Sequence, residues 1–180
     1  MTVAELRQFI TTDETDQVLE AKLQALEVLI REYTNNNFQV RSFRGVAVAM
    51  SPGQLMMDSK SPFKAGDTLQ ITESDLNAGL VNVISSSNGV ITVKEDLNDE
   101  SGVIITKVVY PMDVKMGAVN MLKWELNNRD KVGVASESIS RHSVTYFDMS
   151  KENSIMGYPS SLLGFLKPYK RALFGKGLRV

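Results

Sequence analysis

Apolar residues recur along Leu19, Leu23, Leu26, Ile30 and Tyr33 at alternating steps of four and three. That spacing draws one stripe down a helix. Asp13, Glu14 and Asp16 crowd its start, where the helix dipole favours acids, and Asn35-Asn36-Asn37 ends it. Ahead of it, Thr2 and Glu5 stand at capping-box spacing before Leu6, Phe9 and Ile10. They predict a short helix near residues 3–10. The period then switches. Residues 38–50, 68–72, 79–84, 90–95 and 102–109 are rich in Val, Ile and Thr and alternate in places. Between them lie Ser51-Pro52-Gly53, Ala65-Gly66-Asp67, Asn77-Ala78-Gly79, Asn88-Gly89 and Asn98-Asp99. Asn88-Gly89 between two β-branched runs is a strong hairpin signal.

After Pro111 the helical period returns. Asp113 is placed to cap a helix carrying Val114, Ala118, Met121 and Leu122, with Trp124 on a neighbouring face and Asn127-Asn128 at its close. Residues 132–147 are mixed and 148–157 read as a loop. Ser160 or Ser161 can cap a last short helix from Leu162 to about Leu166, ahead of Pro168. The predicted fold class is α+β: a small helical bundle with an inserted antiparallel β lobe and an extended C-terminal arm. Its divisions are N-terminal helices at 1–42, the β lobe at 43–110, a helix and mixed segment completing the core at 111–157, and the arm at 158–180.

Charge sharpens the reading of the arm. Net charge is −1, yet residues 1–34 hold seven acids against three bases, and 158–180 hold five bases and no acid. This polarity suits head-to-tail contact between copies, or different partners at the two ends. The arm interleaves Phe165, Lys167, Tyr169, Lys170, Arg171, Phe174 and Lys176. Too short and too broken to bury its apolar residues on itself, it is expected to need a partner. Two partners fit: a protein groove that takes apolar anchors and presents an acidic rim, or single-stranded nucleic acid held by stacking and charge.

The chemistry otherwise points away from catalysis. The chain has no cysteine and one histidine, His142, which leaves zinc sites and Ser-His-Asp triads poorly supplied. The run from Asp96 to Gly102 resembles the start of an EF-hand loop. Its glycine falls one place late, and Lys107 stands where the bidentate glutamate belongs. Phe174-Gly175-Lys176-Gly177 lacks both the earlier glycine and the hydroxyl residue of a phosphate loop. No nucleophile, base and orienter can be named together. The expectation is a protein that is not an enzyme, with no catalytic, metal or cofactor site. Acids occur from Glu5 onward and no apolar run nears the length of a spanning helix, so no secretory signal and no membrane partner are expected.

Several segments together resemble the head–tail connector (adaptor or head-completion) proteins of long-tailed double-stranded DNA phages. They are Ser136-Glu-Ser-Ile-Ser-Arg-His-Ser-Val-Thr-Tyr146, then Gly157-Tyr158-Pro159, then Leu162-Leu-Gly-Phe-Leu-Lys-Pro-Tyr-Lys-Arg171. Lys170-Arg171 stands where that family favours paired arginines. Phe63-Lys-Ala-Gly-Asp67, Asn77-Ala-Gly79 and Tyr110-Pro111 extend the likeness through the β lobe. The resemblance implies a structural virion protein at the head–tail interface, assembled in the host cytoplasm. It implies a ring, usually of twelve copies, between the portal protein and a stopper or other neck or tail protein. DNA would pass through the lumen without sequence recognition. Residues expected to meet the portal or a neighbouring subunit are Tyr158, Pro159, Leu162, Phe165, Leu166, Tyr169, Lys170, Arg171, Phe174, Lys176 and Arg179. The alternative is a nucleic-acid-binding module using the same basic aromatic tail.

Overall fold

The computed structural model describes residues 1–128, 136–139, 142–145 and 154–172, the second and third of these ranges as backbone only. It divides into two compact units, Asn37–Tyr110 and Met1–Asn36 with Pro111–Val180.

The first unit is all β. Its strands are β1 (Gln39–Ala47), β2 (Ala49–Ser51), β3 (Gln54–Met56), β4 (Thr68–Thr72), β5 (Gly79–Ser87), β6 (Val90–Val93) and β7 (Val103–Val108). They form one antiparallel sheet in the order β1-β7-β4-β5-β6-β3-β2. The two ends of that order are pieces of one segment, since only Val48 separates β1 from β2. Ala47 pairs with Val103 on one side, while Ala49 pairs with Met56 on the other. The sheet therefore closes on itself where the chain passes Val48. A second corner lies in β5, whose register shifts between Val83 and Ser85, as bulges at barrel corners do.

Strand alternation directs Ala47, Met50, Leu55, Leu69, Ile71, Val81, Val83, Ile91, Val93, Val103 and Ile105 inward, and Phe63 and Leu97 plug the interior from loops. The Asn88-Gly89 turn has φ of 50° and 81°, the left-handed pair that a tight hairpin demands. A Cβ on Gly89 would lie 2.8 Å from the Met57 carbonyl oxygen. At one end of the barrel Glu100 ties two loops together. It accepts from Ser74 Oγ (2.6 Å), Asn77 Nδ2 (2.8 Å) and the Asp75 amide (3.0 Å). These donors, the Ser74 hydroxyl foremost, hold its carboxyl below the usual glutamate value.

The second unit contains α1 (Val3–Leu6), α2 (Asp16–Thr34), α3 (Met112–Asn128), two small hairpins and a 3-10 helix, Ser160–Tyr169. The hairpins are β8 (Ser136–Ile139) with β9 (His142–Thr145), and β10 (Ser154–Ile155) with β11 (Tyr158–Pro159). The Thr2–Glu5 capping box forms with both bonds in place. The cap of α2 is Thr15, later than the acidic start at Asp13 and Glu14 that the sequence marks. Arg7 intervenes there, donating to the Glu14 carbonyl and pairing with Asp16. Asn35 closes α2 in the left-handed conformation, φ 48°. Leu19, Leu26 and Ile30 of the predicted stripe are buried.

The expected helical bundle with an inserted lobe and an extended arm is not what forms. The seven-stranded antiparallel sheet is the largest element, and the helices are few. Among the described residues only α2 and α3 exceed two turns of α-helix; α1 is four residues long. Two helices make a pair, not a bundle. The sheet also gains β2 and β3, because chain flanking Ser51-Pro52-Gly53 continues in strand on both sides. The segment expected to extend away is instead wound into a 3-10 helix up to Tyr169. Gly164 weakens an α-helix there, and Pro168 has no N–H to sustain one.

Candidate docking site

The C-terminal segment is fastened to the chain's own helices. Met156 and Gly157 carry φ of 51° and 79° and make the two-residue turn of the β10–β11 hairpin. That turn sets Tyr158 down beside α3. Its ring lies 5.5 Å from Trp124, and its hydroxyl donates to Glu125 Oε2. Lys22 of α2 reaches the other oxygen, Glu125 Oε1, at 2.8 Å. One carboxylate thus joins α2, α3 and the hairpin.

From Ser160 the backbone repeats every three residues, so positions three apart share an edge. Leu163 and Leu166, on one such edge, are buried; Tyr169 follows them. Leu162 and Phe165 form the next edge and are half-buried. Phe165 lies over Gly117 of α3, so closely that a Cβ there would come inside 3 Å of three of its ring atoms. The Tyr169 hydroxyl lies 2.8 Å from both carboxylate oxygens of Asp113. That hydrogen bond, with burial and the charge behind it, raises the phenol above its ordinary pKa.

The end of the segment meets the C-terminus of α2. Asn36 Nδ2 donates to the Tyr169 carbonyl (3.1 Å), the Arg171 amide donates to the Thr34 carbonyl (2.8 Å), and Asn35 Nδ2 donates to the Ala172 carbonyl (3.3 Å). Lys170 Nζ sits 3.8 Å above the Tyr33 ring, a cation–π contact of about 0.5–1 kcal/mol when exposed. Residues 158–172 are therefore a strap on α2 and α3.

This redistributes the arm's expected anchors. Tyr158, Pro159 and Leu166 are buried within the chain's own unit; Leu162, Phe165 and Tyr169 are half-buried there; Lys170 and Arg171 are exposed. Phe174, Lys176 and Arg179 lie outside the described residues, as do Ser140, Arg141 and Tyr146; the rest of Ser136–Tyr146 is described as backbone alone. Leu163 is absent from the expected anchors, yet the three-residue repeat places it on the buried edge with Leu166. The sequence reading also missed the partners Glu125, Asp113, Gly117 and Asn36. The three-residue recurrence from Leu163 through Leu166 to Tyr169, together with Gly164 and Pro168, was the available signal.

At the other end of α2 an open pocket of about 300 Å³ separates the α1–α2 connection from the end of α3. Phe9, Ile10 and Leu126 give it apolar walls; Glu14, Lys123 and Asn127 give it polar ones. Phe9 is 43% exposed. Among the described residues no group of three or more His, Cys, Asp or Glu side chains is placed to hold a metal ion. Among them, too, no helix is long and apolar enough to cross a membrane.

No known family pattern matches the chain, and no curated protein matches it. Among solved structures it is similar to the tailspike protein gp49 of Pseudomonas phage LKA1, at 21% identity and a TM-score of 0.29. That match covers 36% of this chain and spans 14% of the tailspike's length.

Proposed function

We propose that this chain is a structural virion protein of the head–tail connector kind. Copies form a ring between the portal vertex of a DNA-filled head and the neck, extending the channel through which DNA passes. Portal protein and a stopper-like neck protein are its partners, and the virion is its place of action. The observation that supports this reading is the strap. It holds the chain at Ala172 beside the C-terminus of α2, and Lys176 and Arg179 follow that point in the sequence. A ring repeats that point at every subunit. Weak single contacts then add up, because each later one is effectively intramolecular.

Truncation after Ala172 tests the reading. The strap remains, so the far-UV spectrum and the Trp124 emission stay as in the full chain. Joining of DNA-filled heads to tails is lost. Heads and tails that still join with the truncated chain would overturn the connector reading. Filter binding across a salt series addresses the alternative: tight DNA binding with a steep salt slope, lost on the same truncation, would make the tail a nucleic-acid contact.

A further inference from the structure

The tail's exit and the pocket beside Phe9 lie at opposite ends of α2. Arg171 is held at Thr34 and Ala172 at Asn35, while Glu14 and Thr12 border the pocket before Asp16 begins the helix. Nineteen residues of α-helix separate the two ends, a distance of about 28 Å at 1.5 Å per residue. Phe174 is two residues beyond Ala172 and reaches at most about 7 Å from it, at 3.3–3.6 Å per residue. No conformation of the tail brings Phe174 into the pocket of its own chain.

We propose that the tail of one copy docks in this pocket on the next copy. Phe174 enters between Phe9, Ile10 and Leu126. Lys176 and Arg179 then face Glu14 and its neighbour Asp13, on the acid-rich first third of the chain. Lys123, the one cation of the lining, sits on the α3 wall, across from Glu14. Donor tail and acceptor pocket are unlike surfaces at opposite ends of one unit, which is the heterologous arrangement that closes rings. The proposal names a partner for the association supposed above, and it rests on that reading for the premise that copies meet.

The chain has no cysteine, so two introduced thiols report a single pair. Full-length Gly175→Cys, which keeps Phe174, is mixed with full-length Asn127→Cys under mild oxidation. Gly175→Cys with Val28→Cys, 59% exposed and on α2, sets the collisional background. Docking makes the first mixture form covalent heterodimer at least about tenfold faster than the second, because it raises the local concentration of the two thiols. The chain carrying both Gly175→Cys and Asn127→Cys forms a ladder or a closed ring. Equal rates in the two mixtures overturn the proposal, as does a double variant that closes within one chain. Equal rates alongside loss of head–tail joining on truncation would remove the copy-to-copy contact and leave the connector reading standing. Rapid crosslinking with joining intact after truncation would do the reverse.

Discussion

Substituting Gly117 by alanine pits two well-separated energies against each other. Gly117 lies inside α3, where alanine is favoured over glycine by about 1 kcal/mol from helix propensity alone. The new methyl group would fall within 3 Å of Cζ, Cε1 and Cε2 of Phe165, where carbon atoms rest comfortably only at about 3.5–4 Å. The ring must retreat. Phe165 is half-buried, so it can swing outward, at the expense of the strap contact. Overpacking of this kind costs about 1–3 kcal/mol. Subtracting the propensity gain leaves a net loss of up to about 2 kcal/mol for Gly117→Ala. In a Phe165→Ala background the obstacle is gone, and the same substitution stabilises by about 1 kcal/mol. The prediction is a change of sign across a double-mutant cycle. Urea unfolding followed by Trp124 emission is the assay, since the chain's one tryptophan stands beside Tyr158 in this unit. A Gly117→Ala effect of the same sign in both backgrounds would refute the packing of the 3-10 helix against α3.

Two titrations follow from the same geometry. Tyr169 has its folded pKa raised, chiefly by its hydrogen bond to Asp113. Its contribution is full below the unfolded tyrosine value near 10 and is lost as pH rises through the folded value. Tyr169→Phe should therefore remove part of the alkaline destabilisation of the helical unit, and the phenolate absorbance of the native chain should lose a late-titrating component in that variant. In the barrel, Glu100 has its folded pKa lowered, chiefly by the Ser74 hydroxyl. Its contribution holds above the unfolded glutamate value near 4.3 and disappears as pH falls through the folded value. Exchange of the Asp75 amide, which donates to Glu100, should accelerate over that acid range in the native chain and become nearly independent of pH-driven opening in Glu100→Gln.

The strap shows where sequence reading worked and where it stopped. Tyr158, Leu166 and Tyr169 were visible as anchors because large apolar residues in a short, broken segment must be buried somewhere. What receives them was not visible. Glu125, Asp113 and Gly117 belong to a helix about 40 residues earlier. Nothing in local periodicity ties Glu125 to Tyr158, or Gly117 to Phe165. Up to Ala172 the segment packs on its own chain, because α2 and α3 alone leave room for a third element. The segment fills it as a 3-10 helix.

Local chemistry by itself determined the elements that depend only on neighbours along the chain. The Thr2–Glu5 box, the left-handed stop at Asn35 and the Asn88-Gly89 hairpin are short-range steric and hydrogen-bonding facts, each satisfied within a few residues. Strand alternation likewise marked the residues that would face a core. Closure of the sheet was a tertiary decision. It requires β1 and β2 to bend at Val48 so that one segment pairs with Val103 and with Met56, residues drawn together across more than 40 positions. The fate of the tail was decided the same way: residues 158–172 were free to choose an outside partner until the packed pair of helices offered a nearer one.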